Sequence, residues 1–325
     1  MSRFSLAVMR MLALGMLLAI AGAAAAQQAY PSKPIRWISP FPAGGGNDIL
    51  SRLIAQKLTE SWGQQVVVEN RPGGNTIIGS EALVHSAPDG YTILCAGTDH
   101  VLIPLLMSTP YAEKDFAPVA TIASGELVLV INPSVPANNL REVIALAKSK
   151  PGQLNYATWG SGSSSHIGME LLSLMTGIKM QHVPYKGGAP ALTDLIGGQV
   201  QLYLSVIPSA RPHIQSGKVK AVAVSGESRP PALPQVPTFT EAGVPDFDVK
   251  IWHSIFAPAG TPKEIIDKLS AELARIVAMP EVKTRMAAQG LQPFYTPAEK
   301  FVAMMKADST RYAKVIKAAN IRIEN

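Results

Sequence analysis

Cys95 is the only cysteine in 325 residues, so no disulfide can form within the chain and a disulfide-stapled scaffold is excluded. It lies in the apolar run TILCAG and is expected to be buried. Charged residues are scarce, at 16%, and aromatics scarcer, at 6%, but 47% hydrophobic residues exclude a disordered chain. No basic run interleaved with aromatics marks a nucleic-acid surface. The histidines His85, His100, His166, His182, His213 and His253 are scattered without the spacing of a zinc site. No Gly-Lys-Ser/Thr and no GxGxxG with a following acidic residue marks a nucleotide loop, so neither metal nor cofactor is expected.

Residues 1–26 stand apart. Arg3 and Arg10 precede the apolar run MLALGMLLAIAGAAAA, whose small residues suit cleavage after Ala26, the pattern of a secretory signal peptide. An uncleaved anchor is the alternative, since the run approaches the ~20 residues that span a bilayer. There is no cysteine near Ala26 to carry a lipid, and no later segment is long and apolar enough to span a membrane. Losing Arg3 and Arg10, with no acidic residue before Gln27, lowers the net charge by two, from +6 to +4. That mild excess favours small anions, and export without disulfides suits a bacterial periplasm.

The rest of the chain is organised around PFPAGGGNDILSRLIAQKL. A strand at residues 35–41 runs into Gly44, Gly45 and Gly46, and Asn47 is expected to cap and open a helix with Ile49, Leu50, Leu53, Ile54 and Leu58 on one stripe. Glycine lets the backbone approach a ligand, and the free N–H groups of a first helical turn attract anions. With the phosphate signatures missing, a carboxylate fits better than a nucleotide; a plain tight turn is the alternative. Asp48 reads as a helix-dipole charge and Trp62 as core.

Strands at 66–70 and 92–97, with a helix at 77–86, continue an α/β alternation whose ligands sit beyond the carboxyl ends of the strands. The GTDH segment, residues 97–100, reads as a second such loop. From a strand in ELVLVINPSVP the pattern starts afresh: helix 140–149, strand 154–158, loop WGSGSSSH, helix 164–176, strand MQHVPY, helix 189–197, strand QVQLYLS and strand 218–225. A proline-rich return at 229–247, with a short helix near Thr240, leads to a strand and three closing helices. The expected organisation is a first lobe of residues 27–133 and 248–325, with a second lobe of residues 134–247 inserted. Two connections between them make a hinge and a cleft.

In WGSGSSSH, residues 159–166, serines supply hydroxyls and an N-cap. Two helix starts facing each other suit a dicarboxylate, or a carboxylate with a second polar end. At ~1.5–3 kcal/mol for each hydrogen bond to a charged group, a few support micromolar binding. A serine hydrolase is the competing reading, but the loop is not G-x-S-x-G, and His166 shares the helix start with the serines. His166 either faces the ligand or packs on its helix. In PYKGGAP, residues 184–190, Tyr185, Lys186 and Gly187 either line the cleft or form a plain turn.

Taken in order, YPSKPIRWISPFPAGGGNDILSRLIAQKL, VVVENRPGGN, APDGYTIL, LNYATWGSGSSSHIGMELL, VPYKGGAPALTDLIGGQV, LPQVPTFTEAG and FAPAGTP resemble the substrate-binding proteins of tripartite tricarboxylate transporters, the Bug or TctC family. The resemblance covers essentially all of the chain after residue 26. It implies a monomeric periplasmic binding protein of the two-lobed Venus-flytrap class (type II). Each lobe would be a mostly parallel sheet flanked by helices, with two connecting strands as hinge. It implies no catalysis, a small organic acid as ligand and a two-component membrane permease as partner. Carried over, Phe41, Ala43, Gly44, Gly45, Gly46 and Asn47 hold the carboxylate, while Thr98, Ser161, Ser163, Ser164 and Tyr185 face its other side. Three positions depart from the family pattern. Ser205 replaces an acidic residue, which removes a partner for a ligand ammonium. Trp159 replaces a small residue and offers a stacking face. Asp99 stands where Gly or Ser is common; pointing inward, it would repel a second carboxylate or bond a hydroxyl. A ligand-responsive signalling receptor is the alternative to transport.

Overall fold

The computed structural model describes residues 30–247 and 249–321; the expected signal peptide lies outside them. In chain order the first elements are β1 (Ile35–Ser39), α1 (Gly46–Trp62), β2 (Val66–Asn70), α2 (Ile77–Val84), β3 (Thr92–Gly97) and α3 (Asp99–Leu106). The long β4 (Phe116–Ile131) follows, then α4 (Leu140–Ser149), β5 (Asn155–Thr158), α5 (Ser164–Thr176), β6 (Gln181–Pro184) and α6 (Gly188–Ile196). The chain continues through β7 (Leu202–Val206), α7 (Ile207–Gln215), β8 (Lys220–Val224) and β9 (Lys250–Pro258). It closes with α8 (Lys263–Ala278), α9 (Pro280–Ala288), β10 (Leu291–Pro297) and α10 (Ala298–Ala318).

The fold is two α/β halves built on one curled, mixed sheet in the order β2-β1-β3-β9-β4-β7-β5-β6, with β8 and β10 also pairing with β4. Parallel pairing holds β1 to β2 and β3, and β5 to β6 and β7, so the βα loops of each half open at one sheet edge. The strands that cross the molecule run antiparallel. From Phe116 to Glu126, β4 pairs with β9; from Leu127 to Ile131 it pairs with β7 and β8. Register shifts at Pro118/Ala120 and Thr121/Ala123 bend it before the change of partner.

Each half buries both faces of its part of the sheet, which is why its strands read as continuous apolar runs. In the first, α1, α8 and α9 close one face around Trp37, Ile54 and Leu273, and α10 closes the other around Phe256 and Phe301. In the second, α4 and α5 cover Leu129 and Tyr156, and α6 and α7 cover Val130 and Tyr203. Among the described residues no helix is long and apolar enough to cross a membrane.

Several local expectations are corrected. The first helix opens at Gly46 with Gly45 as its cap, because the Asn47 side chain turns into the protein instead of capping. Leu50, Leu53, Ile54 and Leu58 are buried, while Ile49 and Trp62 are half-buried. GTDH is not a loop throughout: Asp99 is the first residue of α3, and Thr98 precedes it without a side-chain capping bond. β10 was not expected, because Pro293 and Pro297 argue against a strand; both are accommodated at an irregular edge pairing with β4. Near Thr240 there is a turn and a bridge from Val224 to Thr238, not a helix.

Candidate functional site

The N-terminus of α1 points into a cavity between the two halves. Its walls come from the β1–α1 loop (Phe41, Gly45, Gly46, Asn47), the β3–α3 junction (Thr98, Asp99), the second half (Trp159, Ser164, Tyr203, Val206) and β9 (Trp252, His253). The space not filled by atoms, counting the open mouth, is about 520 Å3. None of its lining residues is lysine or arginine, so any anion there is held by neutral donors and the helix terminus.

Asn47 organises the floor. Its Oδ1 accepts from Ser39 Oγ at 2.8 Å and Ser51 Oγ at 3.3 Å, while its Nδ2 donates to the Cys95 carbonyl at 3.0 Å. These contacts fix the amide orientation, so the 3.4 Å contact of Nδ2 with His253 Nδ1 makes that ring nitrogen the acceptor. The proton of His253 therefore sits on Nε2, which is buried, lacks a hydrogen-bond partner and belongs to a cavity-lining residue. Burial lowers the His253 pKa to about 4 and keeps the ring neutral near pH 7. Ser209 Oγ, also on a cavity-lining residue, is buried without a partner too. Buried polar atoms without partners on residues that line one cavity are candidates for bonds to a polar ligand.

Beneath the glycine loop, Asp48 does more than complement a dipole. It accepts from Gly44 N at 3.0 Å, Arg52 Nε at 3.1 Å and Asn70 Nδ2 at 2.9 Å, tying the loop to α1 and β2. Burial raises its pKa, but the bonds from Arg52, Gly44 and Asn70 outweigh that and hold the carboxyl below its ordinary range.

The second helix start is already occupied. Asp99 Oδ1 accepts from Ser164 N at 2.8 Å and Ser164 Oγ at 2.7 Å, and its Oδ2 accepts from Trp159 Nε1 at 2.7 Å. Burial pushes the Asp99 pKa up, opposed by those three bonds. Trp159, Asp99, Phe41 and Pro42 also line a second, larger cavity with Ser161, Ser163, Tyr185 and Lys186.

Of the residues expected to meet a ligand, Phe41, Gly45, Gly46, Asn47, Thr98, Asp99, Trp159 and Ser164 are brought together at the first cavity. Ser161, Ser163 and Tyr185 line the second. Ala43, Gly44, His166 and Ser205 line neither. Ala43 and Gly44 are exposed on the outer turn, and Ser205 is buried in β7, donating to the Val206 carbonyl at 3.2 Å. His166 packs, with its ring stacked on His182 at 4.0 Å and its Nδ1 accepting from Gly162 N at 3.0 Å. Among the described residues no serine hydroxyl is hydrogen-bonded to a histidine ring: Ser163 Oγ goes to Gly160 O and Ser165 Oγ to Leu204 O, both at 2.7 Å. A serine–histidine pair for hydrolysis is thus not formed. His253, Tyr203 and Ser209 were not singled out from the sequence; the one signal was polar side chains inside buried strand and helix runs.

Residues 50–321 match the tripartite tricarboxylate transporter family receptor. The periplasmic binding protein BugD has 33% identity and a TM-score of 0.86 over 91% of this chain and 100% of its own. Rpa4515 of R. palustris, solved with adipate, has 32% identity and a TM-score of 0.88 over 90% and 99%. MatC of Rhodopseudomonas palustris, solved with bound malate, has 30% identity and a TM-score of 0.82 over 88% and 100%. With that match across most of its length and that fold, this chain belongs to the tripartite tricarboxylate transporter receptor family.

Proposed function

We propose that this protein is an extracytoplasmic solute receptor that binds a small organic acid between its lobes and delivers it to a tripartite tricarboxylate transporter permease. One observation carries the reading: the amide end of α1 and His253, whose Nε2–H is buried and unpaired, line one cavity without a basic side chain. A carboxylate is the ligand group that such neutral donors and a helix terminus stabilise. In this reading the carboxylate meets Gly46, Asn47 and His253, and Phe41, Trp159, Tyr203 and Val206 pack against the remainder. Ser161, Ser163 and Tyr185 line the second cavity.

The adipate in Rpa4515 and the malate in MatC support a carboxylate ligand, and the signal-peptide pattern of residues 1–26 supports a periplasmic location. We keep the lobes as residues 27–133 with 248–325 and residues 134–247; the change of β4 partners between Glu126 and Leu127 and the start of β9 at Lys250 support two crossings near these bounds. The test is thermal unfolding of the mature protein against a panel of organic acids, sugars and amines. A ligand at 100 times its Kd adds about 2.7 kcal/mol and raises Tm by roughly 5–10 °C. Stabilisation by an organic acid supports the proposal; stabilisation by an amine or sugar alone overturns it.

A further inference from the structure

We propose that Asp99 acts as a built-in second carboxylate, filling the start of α5 from the opposite half of the molecule and restricting the cleft to ligands with one carboxylate and a neutral, largely apolar remainder. The inference rests on the receptor reading above and narrows its substrate class.

The geometry is that of a bound acid. A carboxylate at a helix start takes the first free amide, a nearby hydroxyl and any further N–H in reach. Asp99 takes all three, from Ser164 N, Ser164 Oγ and Trp159 Nε1, each within 2.8 Å. Asp99 is 5% exposed and Ser164 1%, so water does not compete for the bonds. Asp99 begins α3, beside the Thr98 hydroxyl that accepts from Trp252 N at 3.0 Å, so its backbone is anchored in the first half while its carboxylate serves the second.

The cavity is therefore asymmetric. One end keeps a donor without a partner, His253 Nε2, on the ring that touches Asn47 at the start of α1. At the other end the donors are spent on Asp99. Between them stand Phe41, Val206, Ile251 and the Trp159 ring, surfaces for an apolar chain or flat ring. A ligand with a second carboxylate at the Asp99 end would meet a like charge in a dry site, where Ser164 N, Ser164 Oγ and Trp159 Nε1 are already taken.

The experiment is calorimetric titration of the mature protein with matched series: monoacids of two to eight carbons against the diacids of equal length, benzoate against terephthalate, and 6-aminohexanoate beside hexanoate. We expect the best monoacid to bind about ten-fold or more tighter than its diacid. Asp99→Ser, which removes the built-in carboxylate, and Asp99→Asn, which keeps an acceptor but removes the charge, should each cut that preference by about ten-fold or reverse it. The wild-type comparison needs no variant, and Asp99→Asn covers a folding failure of Asp99→Ser. Diacid binding by the wild type as tight as monoacid binding overturns the inference and leaves the receptor reading standing. So does a preference unchanged in both variants, or tightest binding of 6-aminohexanoate, which would make Asp99 an ammonium partner. Binding of no acid in any series overturns both.

Discussion

Asn47 and His253 lie 206 residues apart in sequence and share one contact at the cavity floor. The glycine turn before Asn47 marked a ligand loop, but nothing local marked His253, whose role depends on β9 pairing beside β3. A side chain inside an apolar run reads as core until the partner strand brings it an amide. Asn47→Ala would strand the Ser39 hydroxyl and the Cys95 carbonyl. It should cost about 1–3 kcal/mol in urea unfolding, and an unchanged midpoint would contradict the network. Histidine burial gives a second prediction. His166 is lowered to about 3 by burial and then by His182, while burial lowers His100, His182 and His253 to about 4. Their ordinary value is 6.5, so between 6.5 and about 4 the unfolded chain takes up protons that the folded chain refuses. Stability should accordingly be full above pH 6.5 and fall as pH drops toward 4. A Tm flat between pH 7 and pH 4.5 would contradict this.

Helix starts at strand ends were the most legible elements, because glycines and serines there have a backbone reason to be present. α5 begins where expected, with Ser163 as its cap accepting from His166 N. α3 was hidden by Pro104 inside an unbroken apolar stretch, and β10 by its two prolines. What the sequence could not show is which glycines let the halves meet. A Cβ on Gly46 would lie 2.8 Å from Val206 Cγ2, and one on Gly187 would lie 2.4 Å from Pro42 Cδ, each contact crossing the cleft. Gly187 has φ +116°, so a side chain there is strained as well as crowded, whereas Gly46 is helical and crowded only. Gly46→Ala thus separates closure from folding. Better helix propensity should hold or raise the ligand-free Tm, while the wedge at Val206 weakens organic-acid binding by about ten-fold. Undiminished binding would mean that the halves need not approach this closely.

For the whole molecule, the two-lobed α/β class was readable from the restart of the strand–helix pattern, but not the continuity of its sheet. β4, 16 residues long, belongs to both cores: Phe116 packs with α10, and Leu129 with α4 and α5. Short-range pattern divides such a strand at ASGE, whereas the structure carries it through and changes its partners. Because the cleft floor is this shared sheet, a ligand gripped at α1 and touched by β7 bridges elements of both halves. The central claim is that the start of α1 and His253 hold the ligand carboxylate. A crystal structure with the tightest-binding organic acid tests it most directly. The account predicts carboxylate oxygens about 2.7–3.1 Å from the Gly46 or Asn47 amide nitrogen and from His253 Nε2. A carboxylate seated instead in the second cavity against Ser161 and Lys186, with His253 Nε2 still unpaired, would contradict it.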